Sequence, residues 1–283
     1  MSMYEATSHN QQAQNLQPNL QQDFNAIRLV SRNFRVRNIS FDDLKQCLRA
    51  GYDDFQARPI SIPFQIAFYF LVALTIVLFA SGQGMRYLAF PMVAGFNLLG
   101  PIIAIGFFAM SRQREQGQPM RWGSAFSFIH SWAFAPILAL SIVMMVLYVA
   151  WLYVAEMIFF GVFGSNPPDT LGGILQVLFN TRSGASLIVY GNFVGLLFAC
   201  AALAMSVVAF PLALDKPVTS FTALQVSIRA FAANSTVMFV WGLIVVACRA
   251  AGALLFFVGL AVALPVLGHA TWHLYRKLVD TKL

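Results

Sequence analysis

Residues 133–164 read AFAPILALSIVMMVLYVAWLYVAEMIFFGVFG, a run in which Glu156 is the only charged side chain. A helix rises about 1.5 Å per residue, so about 20 apolar residues cross the roughly 30 Å hydrocarbon core of a bilayer. The run is longer than that. A backbone in lipid must also satisfy its own N–H and C=O groups, which a helix does within itself. Composition points the same way: 59% of the 283 residues are hydrophobic and 10% are charged, against about 25% charged in soluble domains. The expected fold class is all-α, a polytopic membrane protein.

Working outward, further apolar runs mark spans at Ile62–Ala80, at Tyr87–Met110 (interrupted by Pro91 and Gly100-Pro101), at Pro136–Phe160 and at Ala185–Leu212, with Pro211 near its end. The last run, Val237–Lys277, has no polar break. At about 1.5 Å per residue it would extend about 60 Å, twice the hydrocarbon thickness, so it must fold back, most simply around Gly252–Gly259. That makes six transmembrane helices, paired as three hairpins.

A short amphipathic helix, expected at the membrane interface, precedes each hairpin: Asp43–Arg58, Trp122–Trp132 and Ser220–Ala233. In the first, Ser40 suits an N-cap, and Asp42 and Asp43 fall in the first turn, where negative charge suits the helix dipole. Leu44, Cys47, Leu48, Tyr52 and Phe55 then share one face, with Lys45, Arg49 and Asp53 on the other. Each segment carries a small-plus-apolar pair (Cys47-Leu48, Ala125-Phe126, Ala223-Leu224), and each even-numbered span a proline (Pro101, Pro211, Pro265). The pattern predicts three copies of one unit.

Three regions follow. Residues 1–39 form an N-terminal arm, disordered by composition over Met1–Gln22 and basic over Ile27–Ile39, which reads as a strip on lipid headgroups or as a docking strand. Residues 40–280 form the six-span domain, and 281–283 a tail. The first forty residues lack an apolar core with a small-residue cleavage site, so the first span is expected to serve as an uncleaved insertion signal.

Charge sets orientation. Of the 18 Lys and Arg residues, fifteen fall on the side of the termini; only Arg86 and Arg182 fall on the other, and Arg249 lies within a span. Positive charge stays inside, so both termini are expected in the cytoplasm. Expected partners are therefore the bilayer, anionic lipid headgroups met by Arg28, Arg32, Arg35, Arg37, Arg112, Arg114, Arg276 and Lys277, and a membrane protein; the net charge of +7 does not indicate nucleic acid. Cys47, Cys200 and Cys248 are scattered and show neither a disulfide framework nor a metal-ligand spacing.

Ionisable residues inside spans are functional candidates. Arg249 in span five and Glu156 in span three are expected at similar depth as a buried ion pair. His269 and His273 are four residues apart, on one face of span six. With His130 they could supply three metal or haem ligands. No acid accompanies them in sequence, so the expectation is structural: no metal and no cofactor. His269 lies about 10 Å inside the span's exit near Arg276 and should bond across to a neighbouring helix, with His273 at headgroup level. Asn97 and Asn192 are expected to join helices.

The segments LLGPIIAIGFFAMSRQREQGQP (98–119), FPLALDKPVTSFTALQVSIRAFAAN (210–234) and LPVLGHATWHLYRKLVD (264–280) resemble a domain-of-unknown-function family of bacterial integral membrane proteins. The likeness spans Val36–Asp280, with GHATWH its most specific part. It implies a six-span inner-membrane protein without established activity. Some members are labelled as cytochrome c oxidase, which the chemistry of this chain contradicts: a haem–copper subunit needs six histidine ligands, and the chain has 4 histidines. The first functional reading is a non-enzymatic accessory, scaffold or assembly factor, near a respiratory complex. A small transporter or lipid-handling permease is the second, and an intramembrane metal- or haem-binding protein the third.

Overall fold

The computed structural model describes residues 34–57, 74, 86–119, 122–164, 171–254 and 259–280. The span expected at Ile62–Ala80, Arg28, Arg32 and the tail lie outside these residues. Ten α-helices are described: α1 (Phe41–Ala57), α2 (Ala89–Gly95), α3 (Gly100–Glu115), α4 (Phe134–Phe163), α5 (Leu171–Asn180), α6 (Arg182–Ser206), α7 (Ala209–Asp215), α8 (Ser220–Ala233), α9 (Ser235–Leu254) and α10 (Leu260–Leu278). Among the described residues the only sheet is a pair of two-residue strands, β1 (Arg35–Val36) and β2 (Val279–Asp280).

Four stretches of described residues are long and apolar enough to cross a membrane: Phe90–Glu115, Phe134–Phe163, Arg182–Asp215 and Ser235–Leu254. They coincide with expected spans two to five. α10, expected as the sixth, is helical over the expected range but does not meet that standard. Its C-terminal half is polar, and His269, Trp272 and Tyr275 are buried within the protein. The lipid-facing character lies in α4, α6 and α9, where Val146, Val149, Phe193, Leu197, Leu243 and Val246 point outward.

Pro101 and Pro211 break their spans, for identifiable reasons, whereas Pro265 lies within the continuous helix α10. Pro101 has no N–H to return to the carbonyl of Asn97, and the chain tightens into a 3-10 turn over Phe96–Leu99 before α3 begins. Pro211 likewise leaves the carbonyl of Val207 without a helical donor, and the span divides into α6 and α7. Ser227 of α8, fully buried, fills that break. Its hydroxyl accepts from Val208 N–H at 3.1 Å and donates to Ala204 C=O at 2.7 Å, two groups that an unbroken helix would pair directly.

All three short amphipathic segments are helical, and each packs against a longer helical stretch of the chain. The 3-10 helix Trp122–His130 lies on α3, α8 lies on α6 and α7, and α1, the first in the chain, lies on α10, the last. α1 starts with a capping box: Ser40 Oγ accepts from Asp43 N–H at 3.3 Å, and Asp43 Oδ2 accepts from Ser40 N–H at 2.8 Å. Its buried face is Leu44, Cys47, Gly51 and Asp54. Tyr52, expected on that face, is exposed, because Gly51 is the residue that meets α10. A Cβ on Gly51 would fall 2.6 Å from Val266 O and 2.6 Å from Ala270 N.

β1 pairs antiparallel with β2, Val36 opposite Val279, and Arg37 N–H donates to Leu278 C=O at 2.8 Å. This part of the arm is therefore a docking strand whose partner is the chain's own C-terminus, and Phe34 before it is buried. Gly252 and Gly259, the expected site of the fold-back, approach so closely that a Cβ on Gly259 would lie 2.7 Å from Gly252 Cα, and α9 packs against α10.

Candidate functional site

The last turn of α3, Ser111-Arg112-Gln113-Arg114-Glu115, is the polar hub of the molecule. Its side chains reach three other helices, α1, α7 and α10. Ser111 and Arg114 bond Asp54 on α1. Arg112 donates to Leu214 C=O at 2.9 Å and lies 3.6 Å from Asp215 at the end of α7. Glu115 accepts from Trp272 Nε1 at 3.1 Å and from Arg276 Nε at 2.9 Å on α10. Asp215 in turn accepts from Tyr275 Oη at 2.8 Å and Arg276 at 3.3 Å. Lys277 closes the ring by donating to Asp43 and Gln46 on α1, each at 2.7 Å.

The innermost part is a buried cluster of Asp54, Ser111 and His269, with His273 and Arg114 at its rim. Asp54 Oδ1 accepts from Arg114 at 2.6 Å. Oδ2 accepts from Ser111 Oγ at 2.6 Å and pairs with His273 Nε2 at 2.9 Å. Burial pushes the Asp54 carboxyl up, but the hydrogen bonds from His273 and Ser111 outweigh it and hold the group below the usual carboxylate range. Asp54 is thus an ionised acceptor. Ser111 Oγ also lies 2.7 Å from His269 Nδ1.

Ser111 Oγ donates to the carboxylate of Asp54, whose other oxygen takes the Arg114 cation, and His273 Nε2 and His269 Nδ1 stand 2.9 Å and 3.8 Å from Oδ2. Among the described residues no group of three or more His, Cys, Asp or Glu is arranged to hold a metal. The cluster acts as a clasp that fixes α1 to α3 and α10.

His269 and His273 are therefore brought together, through Asp54. His130 is exposed at the end of its 3-10 helix and does not join them. Arg37, Arg112, Arg114, Arg276 and Lys277, expected at lipid headgroups, are paired with the chain's own carboxylates; Arg35 is exposed. No ion pair joins Glu156 to Arg249 among the described residues. Glu156 accepts from Tyr87 Oη at 2.6 Å, and Arg249 donates to Asn97 Oδ1 at 2.7 Å. Their partners, Tyr87 and Asn97, stand at different levels of the stretch that leads into α3, so the two charges are engaged apart from one another.

Asp54 was absent from the sequence reading, although a signal for it exists. Residues 44, 47, 51 and 54 follow a 3-4-3 spacing, which places Asp54 on the apolar face of α1. A carboxylate there must find partners.

Cys47, on the same face, is fully buried, and burial pushes its thiol up to about 12. In a variant with Cys200 and Cys248 replaced by serine, maleimide should leave Cys47 unlabelled at neutral pH until the protein is denatured. Labelling at the denatured rate would show that α1 leaves α10 freely.

No curated protein and no solved structure matches the chain. Residues 89–215 match the family described as Predicted integral membrane protein (DUF2189), which takes in the resemblance read from 98–119 and stops before GHATWH. Its helices and this similarity make the chain an integral membrane protein, similar over residues 89–215 to DUF2189, a family of unknown function.

Proposed function

We propose that the protein is a non-enzymatic accessory or scaffold protein of the bacterial cytoplasmic membrane, crossing it six times with both termini in the cytoplasm. The observation that carries this reading is the closed polar end. One turn of α3 is bonded to α1, α7 and α10, and Lys277 ties α10 back to α1. A carrier that alternates access has to part its helices at each end in turn; here separation would strip several half-buried carboxylates of their cations. A rigid end with outward apolar spans suits a protein that holds others in place.

The six crossings are supported by where the polar ends meet. α1, the end of α3, the end of α7 and the end of α10 are hydrogen-bonded to one another. They therefore share one membrane face, and an even number of crossings must separate each from the next. α4 with α6–α7 supplies one pair, and α9 with α10 another. α2–α3 needs a partner, for which Ile62–Ala80 has the length and composition. Reporter fusions after Gln118 and Lys216 should read as cytoplasmic, and a periplasmic reporter active at either would overturn the topology.

The role is tested by extraction of the full chain from native membranes in mild detergent, followed by native mass spectrometry. The expected result is a stoichiometric complex with a defined membrane protein that survives size exclusion. A chain that purifies alone and carries solute flux in proteoliposomes would favour the transporter reading. A Soret band or stoichiometric metal, lost on His269→Ala with His273→Ala, would favour the cofactor reading.

A further inference from the structure

Arg249 is a cation inside a membrane span with no anionic partner among the described residues. Among them its guanidinium makes one hydrogen bond, to the neutral Asn97 side chain, and its Nε is buried without a partner. The pair sits where the α2–α3 span is broken. Asn97 lies in the 3-10 turn, its Nδ2 donating to Ala94 C=O at 3.0 Å so that Oδ1 is aimed at Arg249. Gly100 leaves room for the guanidinium: a Cβ there would fall 2.7 Å from Arg249 Nη2. The position is constructed, yet it lacks a counter-charge.

The described residues have little to offer. Of the 11 acidic residues, eight are described. Asp42, Asp43, Asp53, Asp54, Glu115, Asp215 and Asp280 lie at the polar end, on or beside α1, α3, α7 and α10, and Glu156 is held by Tyr87. An arginine has five donors in a planar fork that fits a phosphate, and an unpaired charge in hydrocarbon is costly. Arg249 lies about 7 Å along the axis from the C-terminal end of α9, within reach of the headgroup layer by snorkelling. Asn97 is exposed beside it, and Val93 and Val246 nearby face outward.

We infer that Arg249, set by Asn97 and Gly100, is a binding site for a phosphate group, supplied by a phospholipid headgroup of the leaflet opposite the ion-paired end or by free inorganic phosphate. Its depth favours the lipid. The site requires that α9 crosses the bilayer and is independent of the accessory role.

The test uses the full chain in detergent, stripped of endogenous lipid and given phosphatidylglycerol, with bound lipid read by native mass spectrometry. Loss of a charge-assisted contact corresponds to about a tenfold change in retention. Arg249→Gln should therefore retain about tenfold less phosphatidylglycerol than wild type, and Arg249→Lys an intermediate amount. Inorganic phosphate should fail to displace the lipid; displacement would assign the site to the free anion. Equal retention by wild type and a folded Arg249→Gln would overturn the site. Should the variants not accumulate, a photoactivatable phosphatidylglycerol can be applied to the wild-type chain. Cross-links are expected near 93–100 and 246–253, and labelling confined to the ion-paired end would refute the assignment.

Discussion

Replacing Gly51 by leucine should release α1 from the membrane domain. A Cβ at this position would meet backbone atoms of Val266 and Ala270 at 2.6 Å, and backbone in a helix cannot move aside as a flexible side chain can. Overpacking of a well-filled core costs about 1–3 kcal/mol where side chains can shift; with backbone on the other side the cost should reach about 3 kcal/mol or more. Cys47, one turn away and fully buried, supplies the readout, because it becomes open to maleimide as α1 lifts. Gly51→Ala separates two effects of opposite sign. Alanine favours an isolated helix by about 1 kcal/mol over glycine, whereas the close approach to α10 penalises any Cβ. If the approach dominates, Gly51→Ala is less stable than wild type and Gly51→Leu much less stable. A Gly51→Ala protein with a raised melting temperature would show that α1 and α10 are not in contact as described.

Asp54→Leu should be the most damaging single change in the polar hub. It removes the carboxylate that Arg114, Ser111 and His273 all address. Arg114 stays partly exposed and can turn to water, so the loss should be about 1–3 kcal/mol, from the buried donors left unpaired. The losses from Asp54→Leu and Arg114→Leu should fall short of adding in the double variant, and additive losses would argue against a coupled cluster.

Acid provides a second readout of the same clasp. Asp43 is held at about 2 by its hydrogen bonds to Lys277 and Ser40, and Asp54 is also held below the usual value. Groups depressed on folding contribute stability that is present above the unfolded value, near pH 3.9, and is lost as pH falls through the folded value. The advantage in melting temperature of wild type over Asp43→Asn with Asp54→Asn should hold from neutral pH to about 4. It should shrink between about pH 4 and 2. A constant difference across that range would show that neither carboxylate is engaged.

Four of the membrane spans, the cap at Ser40 and the breaks at Pro101 and Pro211 were legible in the sequence because each has a local cause. Hydropathy and length decide what can cross lipid. A missing N–H at Pro101 or Pro211 acts on the carbonyl four residues earlier, and a capping box needs only residues three apart. The choice of partners was not legible. Glu156 and Arg249 are the obvious opposite charges in the spans, yet the packing of the second span between them gives each a neutral partner, Tyr87 and Asn97. Arg112, Arg114, Arg276 and Lys277 look alike as juxtamembrane cations suited to lipid headgroups, yet the tertiary structure turns them onto Asp215, Asp54, Glu115 and Asp43. His269 had to find a partner once buried, but only the rotation of α3 against α10 makes that partner Ser111. A hydrogen bond depends on placement within a few tenths of an ångström, set jointly by the axial depth and rotation of two helices far apart in the chain, whereas burial in lipid depends only on what each stretch is made of.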